Sequence, residues 1–284
     1  NLTANKSGLS SVSVTSTKIT DKSQVPAGDL YNSNYVRRVK ITDSTKPITV
    51  TYKNVAKDKE SGKSLNVTLT LSDFVTDKID TQGSQADATP YIYVYSNYAD
   101  AISQFNVVAM KQATTYTYAD SNKAYNKEYY QTYGSLNYQD ANRYEFTSPA
   151  SGVKTSFLNK GTSIANKLQK VSGKASTKVS EAFMGPVGTT QPDGIWDTRE
   201  EALTRLGVTY LVENGASVWL GVSGGNGKDP VAKPGDGGYW ATYNHIMMGT
   251  NTVAPTATKP VEPKKPATLK AEVQLFYLFP RDKY

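Results

Sequence analysis

Alternating hydrophobic and polar positions run through much of the chain and predict β-strands. Residues 48–55 place Ile48, Val50 and Tyr52 on one side of an extended strand and Thr or Lys on the other. Residues 65–74 repeat the pattern, with Leu and Val at every second position. The short polar stretch between the two runs favours an antiparallel hairpin with one buried face.

The same alternation predicts strands in most of the remaining chain. They cover residues 9–20, 38–41, 91–98, 104–119, 142–146, 152–159, 216–224, 238–249 and 269–279. We therefore expect a mainly β protein, built chiefly of antiparallel strands, with a few short helices.

Other segments lack this alternation. Residues 120–142 have no clear period and are a candidate binding loop. Residues 163–174 fit a short helix, although glycines lie close to both ends. Residues 198–206 fit one better, because Thr198 and the Glu three positions later form a capping box. Four prolines make residues 253–268 an extended connector before the final strand.

Composition restricts the class of protein. We treat residues 1–284 as one domain, since 284 residues can bury a large core. With 38% hydrophobic residues and no long apolar run, we expect neither a membrane span nor a signal peptide, and hence a mature piece excised from a longer protein. Cysteine is absent, which is compatible with an exported protein without disulfides.

Tyrosine and lysine are concentrated in adjacent stretches. Twelve of the 20 Tyr lie between Tyr91 and Tyr144, and six Lys with no acidic residue follow between Phe146 and Ser180. The net charge is +7, so this lysine run supplies most of the imbalance. Aromatic rings beside excess positive charge favour binding of an elongated sugar or polyanion. The alternative is that Tyr serves as a strand residue and Lys as a solvated face.

The sequence offers little for catalysis. His245 is the only His and Cys is absent, which excludes Cys-His catalysis and a His/Cys metal cluster. A carboxylate pair for glycoside hydrolysis remains open among Asp193, Asp197, Glu200 and Glu201, and the alternative is a turn followed by a capped helix.

Two other turn features are candidate binding sites. Asp193, Asp197, Asp229 and Asp236 lie in Gly-rich turns, where carboxylates and carbonyls can hold calcium or can simply be solvated. Trp196 lies in a polar turn beside Asp197, where its indole either stacks on a sugar or base or packs the turn onto the sheet.

Four segments together resemble the variable domain of the antigen I/II adhesins. Residues 51–74 resemble its opening hairpin, residues 135–164 its middle segment, residues 192–198 its Gly-x-Trp-Asp turn, and residues 238–266 its exit strand and Pro-rich stalk. They cover about a third of the chain in family order. The resemblance extends to the glucan-binding protein C domain and to the adhesin domain of enterococcal aggregation substance.

This resemblance implies a lectin-like antiparallel β-sandwich, with long loops and short helices forming a cleft, at the head of a wall-anchored Gram-positive surface protein. It implies a non-catalytic adhesin that binds glycans, host glycoproteins or polyanions such as extracellular DNA and lipoteichoic acid, in aggregation or biofilm attachment. The basic charge favours the polyanion branch. The expected ligand-binding residues are Lys154, Lys160, Lys167, Lys170, Lys174, Tyr116, Tyr118, Tyr129, Tyr130, Trp196 and Asp197, with calcium as a possible cofactor at the four Asp.

Overall fold

The computed structural model describes residues 13–14, 19–20, 36–41, 43–58, 60–76, 90–95, 102–140, 143–186, 205–224, 240–249 and 257–261. The strands in these ranges are β1 (Ser13–Val14), β2 (Ile19–Thr20), β3 (Val36–Lys40), β4 (Ile48–Lys57), β5 (Ser64–Thr76), β6 (Tyr91–Tyr95), β7 (Ile102–Phe105), β8 (Val107–Tyr118), β9 (Tyr129–Gly134), β10 (Tyr138–Asp140), β11 (Arg143–Asn159), β12 (Gln169–Lys170), β13 (Glu181–Met184), β14 (Val208–Ser223), β15 (Trp240–Gly249) and β16 (Ala257–Val261). A single 3-10 turn, Lys174–Thr177, is the helical element in the described part of the chain.

The strands form one continuous antiparallel array. Neighbouring strands follow the order β1-β4-β5-β8-β14-β9-β15-β7-β6-β3-β2. Strand β11 lies along the other edge of β14 and also pairs with β10, β13 and β16, and β12 pairs with β13. The prediction of a mainly antiparallel β protein is confirmed.

The array bends where β14 changes partner. Residues 217–221 pair with β8 and residues 208–212 pair with β9, whereas β11 follows both halves. The bend contains Gly215, whose φ of +86° lies in the left-handed region that favours glycine. At the facing point of β11, Gly152 has φ +67°, and a Cβ there would lie 3.0 Å from Ala216. Two glycines thus let the two halves fold toward each other as in a β-sandwich.

The core lies between these halves. Leu65, Val67, Leu69 and Leu71 of β5 are fully buried, and the polar residues between them are half-buried. In the core, the ring of Tyr116 on β8 meets the ring of Tyr129 on β9 edge to face. Each fully buried Leu or Val contributes about 1.5–3 kcal/mol, so this inner face is the main source of stability. The predicted hairpin of residues 48–74 is confirmed by the β4–β5 pairing.

Three predictions of local structure were wrong. Residues 120–142 contain strands β9 and β10, and every residue of β9 is buried, so a strand covered on both faces gave no alternation to detect. The two strands expected at 142–146 and 152–159 are one strand, β11. Residues 163–174 form turns and the short β12 instead of a helix.

Some predicted segments lie outside the described residues. These are the final strand at 269–279 and all of the predicted helix 198–206 except its last two residues. Within the predicted connector 253–268, residues Ala257–Val261 form β16 and pair with β11. No helix in the described ranges is long and apolar enough to cross a membrane.

Candidate functional site

Residues 160–180, which we call the lysine layer, cover part of the outer face of the array. Four apolar side chains of this segment are buried, namely Ile164, Val171, Ala175 and Val179. Five lysines between them are exposed, namely Lys160, Lys167, Lys170, Lys174 and Lys178. A segment of this kind gains more free energy by docking small apolar side chains onto a sheet than by closing a short helix between two glycines.

Hydrogen bonds fix the lysine layer to the strands beneath it. The Ser163 amide donates to the Arg205 carbonyl at 2.8 Å, and the Ser172 amide donates to Ser223 Oγ at 2.9 Å. Within the layer, the Val171 amide donates to the Ser180 carbonyl at 2.9 Å. The 3-10 turn lies against β8 and β14. The lysines are therefore carried on backbone that is held in place rather than on an unattached loop.

Lysines outnumber acidic residues in and around the lysine layer, and Glu181 of β13 lies opposite Lys170 in the β12–β13 pairing. The segment from 160 to 180 contains no Asp or Glu. Within the described ranges, no carboxylate makes an ion pair with Lys160, Lys167 or Lys170. Excess charge of one sign on a surface raises the local concentration of oppositely charged polymers.

Lys154 does not belong to this surface. It lies on β11 rather than in the lysine layer, and its Nζ is 2.9 Å from Glu213 Oε2. The hydrogen bond and the charge of Glu213 raise the pKa of Lys154. Lys154 was predicted to bind ligand because it is close in sequence to the other lysines. In the fold, its charge is paired with that of Glu213 on β14.

Three of the predicted tyrosines lie inside the protein. Tyr116 and Tyr129 are fully buried, with ring centroids 5.1 Å apart in an edge-to-face contact. Tyr130 is 3% exposed and packs edge to face on Phe157 at 5.7 Å. Burial raises the pKa of Tyr130. Rings without an exposed face cannot stack on a ligand. These three tyrosines are therefore core residues and not the ligand-binding residues that the sequence predicted.

Tyr118 is half-buried and braces two loops. Its hydroxyl donates to Asp58 Oδ2 at 3.0 Å, and this carboxylate also accepts from Ser61 Oγ at 2.7 Å and Lys127 Nζ at 3.1 Å. Burial favours the neutral form of Asp58, but these donors outweigh it and the pKa of the carboxyl is lowered. Lys127 also pairs with Glu60. The network links the β4–β5 loop to the β8–β9 loop and engages the hydroxyl of Tyr118 within the protein.

A second feature lies beside the lysine layer, and the sequence did not reveal it as a site. We call it the Trp219 patch: Trp219, Lys111, Asp73 and Lys178. Lys111 Nζ lies 5.9 Å from the centroid of the half-buried Trp219 ring and 2.6 Å from Asp73 Oδ2. The hydrogen bond from Lys111 lowers the pKa of Asp73, and the charge of Lys178 adds to this. Sequence analysis could not find the patch because its residues come from four separate segments.

The remaining predicted site residues lie outside the described ranges. They are Trp196, Asp193, Asp197, Asp229 and Asp236, so calcium binding stays a prediction. In the part of the chain that the structure describes, no group of three or more His, Cys, Asp or Glu is placed to hold a metal ion.

Three solved structures share this fold. The adhesin domain of PrgB from Enterococcus faecalis, bound to DNA, matches with a TM-score of 0.56 and 16% identity over 86% of this chain and 93% of that chain. Glucan binding protein C of Streptococcus mutans, described as mediating sucrose-independent and sucrose-dependent adherence, matches with a TM-score of 0.50 and 12% identity over 83% and 68%. The N-terminal domain of the Streptococcus gordonii adhesin Sgo0707 matches with a TM-score of 0.52 and 10% identity over 87% and 63%.

These matches establish an adhesin-like fold. No protein-family model and no curated protein sequence matches the chain. At 16% identity or less, structural similarity indicates the same arrangement of strands, but it does not identify the ligand. The function has to be argued from the surface of this chain.

Proposed function

We propose that this chain is the non-catalytic binding head of a Gram-positive, wall-anchored surface adhesin, and that it binds phosphate polymers such as extracellular DNA and lipoteichoic acid through the lysine layer. The observation that carries the proposal is a docked segment with five exposed lysines and no acidic residue. Attachment to such polymers would promote aggregation or biofilm formation.

The physical basis is neutralisation of phosphate charge. Each lysine that contacts a phosphate releases condensed counterions, which makes affinity fall steeply with salt. Lysine ammonium groups act as point charges on flexible stems and do not read bases, so binding should be indifferent to sequence. The enterococcal neighbour with DNA bound shows that a domain of this fold accommodates such a polymer, which supports the proposal by analogy.

The proposal is tested by measuring binding of DNA, lipoteichoic acid and neutral dextran at several salt concentrations. With four to six phosphate contacts, the slope of log K against log salt for DNA should be about −3 to −5. Dextran, which has no charge, should bind weakly and without salt dependence. Equal affinity for all three polymers at low salt would contradict the proposal.

Glycan or host-glycoprotein binding is the second candidate function. The observation that favours it is the match to a glucan binding protein. Dextran or host glycoproteins binding better than DNA at physiological salt would put this candidate first. Release of new reducing ends during incubation with glucans would instead indicate the hydrolase considered for Asp193, Asp197, Glu200 and Glu201.

A further inference from the structure

Trp219 lies on the outer face of the array at the border of the lysine layer. On β14 the residues of this face alternate as Ser217, Trp219, Gly221 and Ser223. Ser223 is already beneath the layer, because its hydroxyl accepts the Ser172 amide. Trp219 comes two alternate positions earlier on the same face and is only half-buried.

The direct strand neighbours of Trp219 on this face are polar. Trp219 lies between Lys111 on β8 and Ser148 on β11 in the strand register. One step along the face in one direction, Ser217 Oγ lies 2.7 Å from Ser151 Oγ. One step in the other direction, the buried ring of Phe146 covers Gly221. Trp219 thus packs against the hydrophobic cluster on one side and stays half-buried beside hydroxyl side chains on the other.

Positive charge lies beside the ring. Lys111 is held 5.9 Å from the ring centroid by its ion pair with Asp73, and Lys178 is exposed close enough to influence the same carboxylate. Two lysines against one Asp leave a net positive charge. A phosphate bound by the lysine layer would therefore arrive within reach of an aromatic face.

We propose that the Trp219 patch is a stacking subsite for an unpaired nucleobase, so that the lysine layer selects single-stranded nucleic acid from among phosphate polymers. This inference rests on the proposed function. Lipoteichoic acid and polyphosphate contain no planar ring, and the bases of a duplex are already stacked on each other. Only a flexible strand can place one base on the indole while its phosphates contact Lys178 and the layer.

The test compares Trp219→Leu with Trp219→Tyr. Leu keeps apolar contact with the sheet but has no ring face, whereas Tyr keeps a ring. Affinities are measured for a labelled oligothymidylate, for a duplex with the same number of phosphates, and for polyphosphate as a competitor. The wild type should prefer the single strand, and Trp219→Leu should weaken single-strand binding by roughly 5-fold to 150-fold, the range of one stacked base.

The other readouts separate stacking from structural damage. In Trp219→Leu, duplex and polyphosphate affinities and the salt slope should stay as in the wild type, and Trp219→Tyr should retain most of the single-strand preference. Single-stranded DNA should also quench tryptophan fluorescence in the wild type, and this quenching should be lost in Trp219→Tyr, which keeps Trp196 and Trp240.

Two failures are distinguishable. If the wild type binds no phosphate polymer, the proposed function is wrong. If the wild type binds phosphate polymers but binds single strands no more tightly than duplexes, the proposed function stands and the stacking subsite is overturned. The same conclusion follows if Trp219→Leu weakens binding of the single strand, the duplex and polyphosphate by the same factor.

Discussion

Asp58 shows how one buried carboxylate ties two loops together. Only 3% of the residue is exposed, and its oxygens accept hydrogen bonds from Ser61, Tyr118 and Lys127. Hydrogen bonds to a charged group contribute about 1.5–3 kcal/mol, more than bonds between neutral groups. These donors stabilise the ionised form of Asp58. The residue therefore stabilises the fold only while it carries its charge.

Replacing Asp58 with Asn should lower the free energy of unfolding at pH 7 by about 1–3 kcal/mol. Because the folded-state pKa of Asp58 is lowered, its contribution is present above the unfolded pKa of about 4 and is lost as pH falls through the folded value. The wild type and Asp58→Asn should thus converge in unfolding midpoint as the pH falls below the unfolded pKa of about 4. Exposed Glu128→Gln is the control and should change little. A constant difference across this pH range would contradict the ion-pair account.

Single residues also show where sequence reasoning fails. The tyrosine-rich stretch was correctly recognised as unusual, but a Tyr on a strand looks the same whether its ring faces a ligand or the opposite sheet. Tyr116 and Tyr129 meet in the core, a contact between strands that only the fold brings together. Lys154 fails for a similar reason, because Glu213 is 59 positions away in sequence and 2.9 Å away in space.

At the scale of elements, the sequence predicted a strand correctly where one face of the strand is buried. It missed a strand where both faces are buried. Strand β5 alternates cleanly and was predicted with its hairpin. Strand β9 is buried throughout and was interpreted as a loop. The apolar residues of the lysine layer have a spacing that also fits a helix. The segment is not helical because the sheet offers a surface on which these residues are buried.

The lysine layer should be able to loosen without unfolding the sandwich. Val171→Ala removes buried contact worth about 1–2 kcal/mol locally, which corresponds to roughly tenfold faster hydrogen exchange. We expect this increase at the amides of Val171 and Ser172, which bond to Ser180 and Ser223, and not at the amides of β5.

Affinity for DNA should fall in Val171→Ala, because binding would then have to order the layer. Lys170→Gln is the control for exchange only: it removes a binding charge and should weaken DNA binding, but it should leave the exchange rates unchanged. Faster exchange throughout the sheet in Val171→Ala would show that the layer is part of the global folding unit.

At the scale of the whole molecule, the proposed binding surface is anchored in the hydrophobic core. The exposed lysines of the lysine layer lie on the outer face of the half formed by β4, β5 and β8, but the buried apolar residues of the layer belong to the same hydrophobic cluster as the strands, and Trp219 packs against that cluster. The sequence indicated the class of fold and the basic segment. It could not show that the segment forms a covering layer, because this depends on contacts between residues more than 30 positions apart.

The measurement that tests this account most directly is the salt dependence of DNA affinity in two triple variants. Lys160, Lys167 and Lys170→Gln removes three charges from the lysine layer, and Lys53, Lys57 and Lys123→Gln removes three exposed charges elsewhere. At about one unit per lost phosphate contact, the first variant should flatten the slope of log K against log salt by about two to three, and the second by less than about one. Equal slopes in the two variants would contradict the claim that the lysine layer is the polyanion-binding surface.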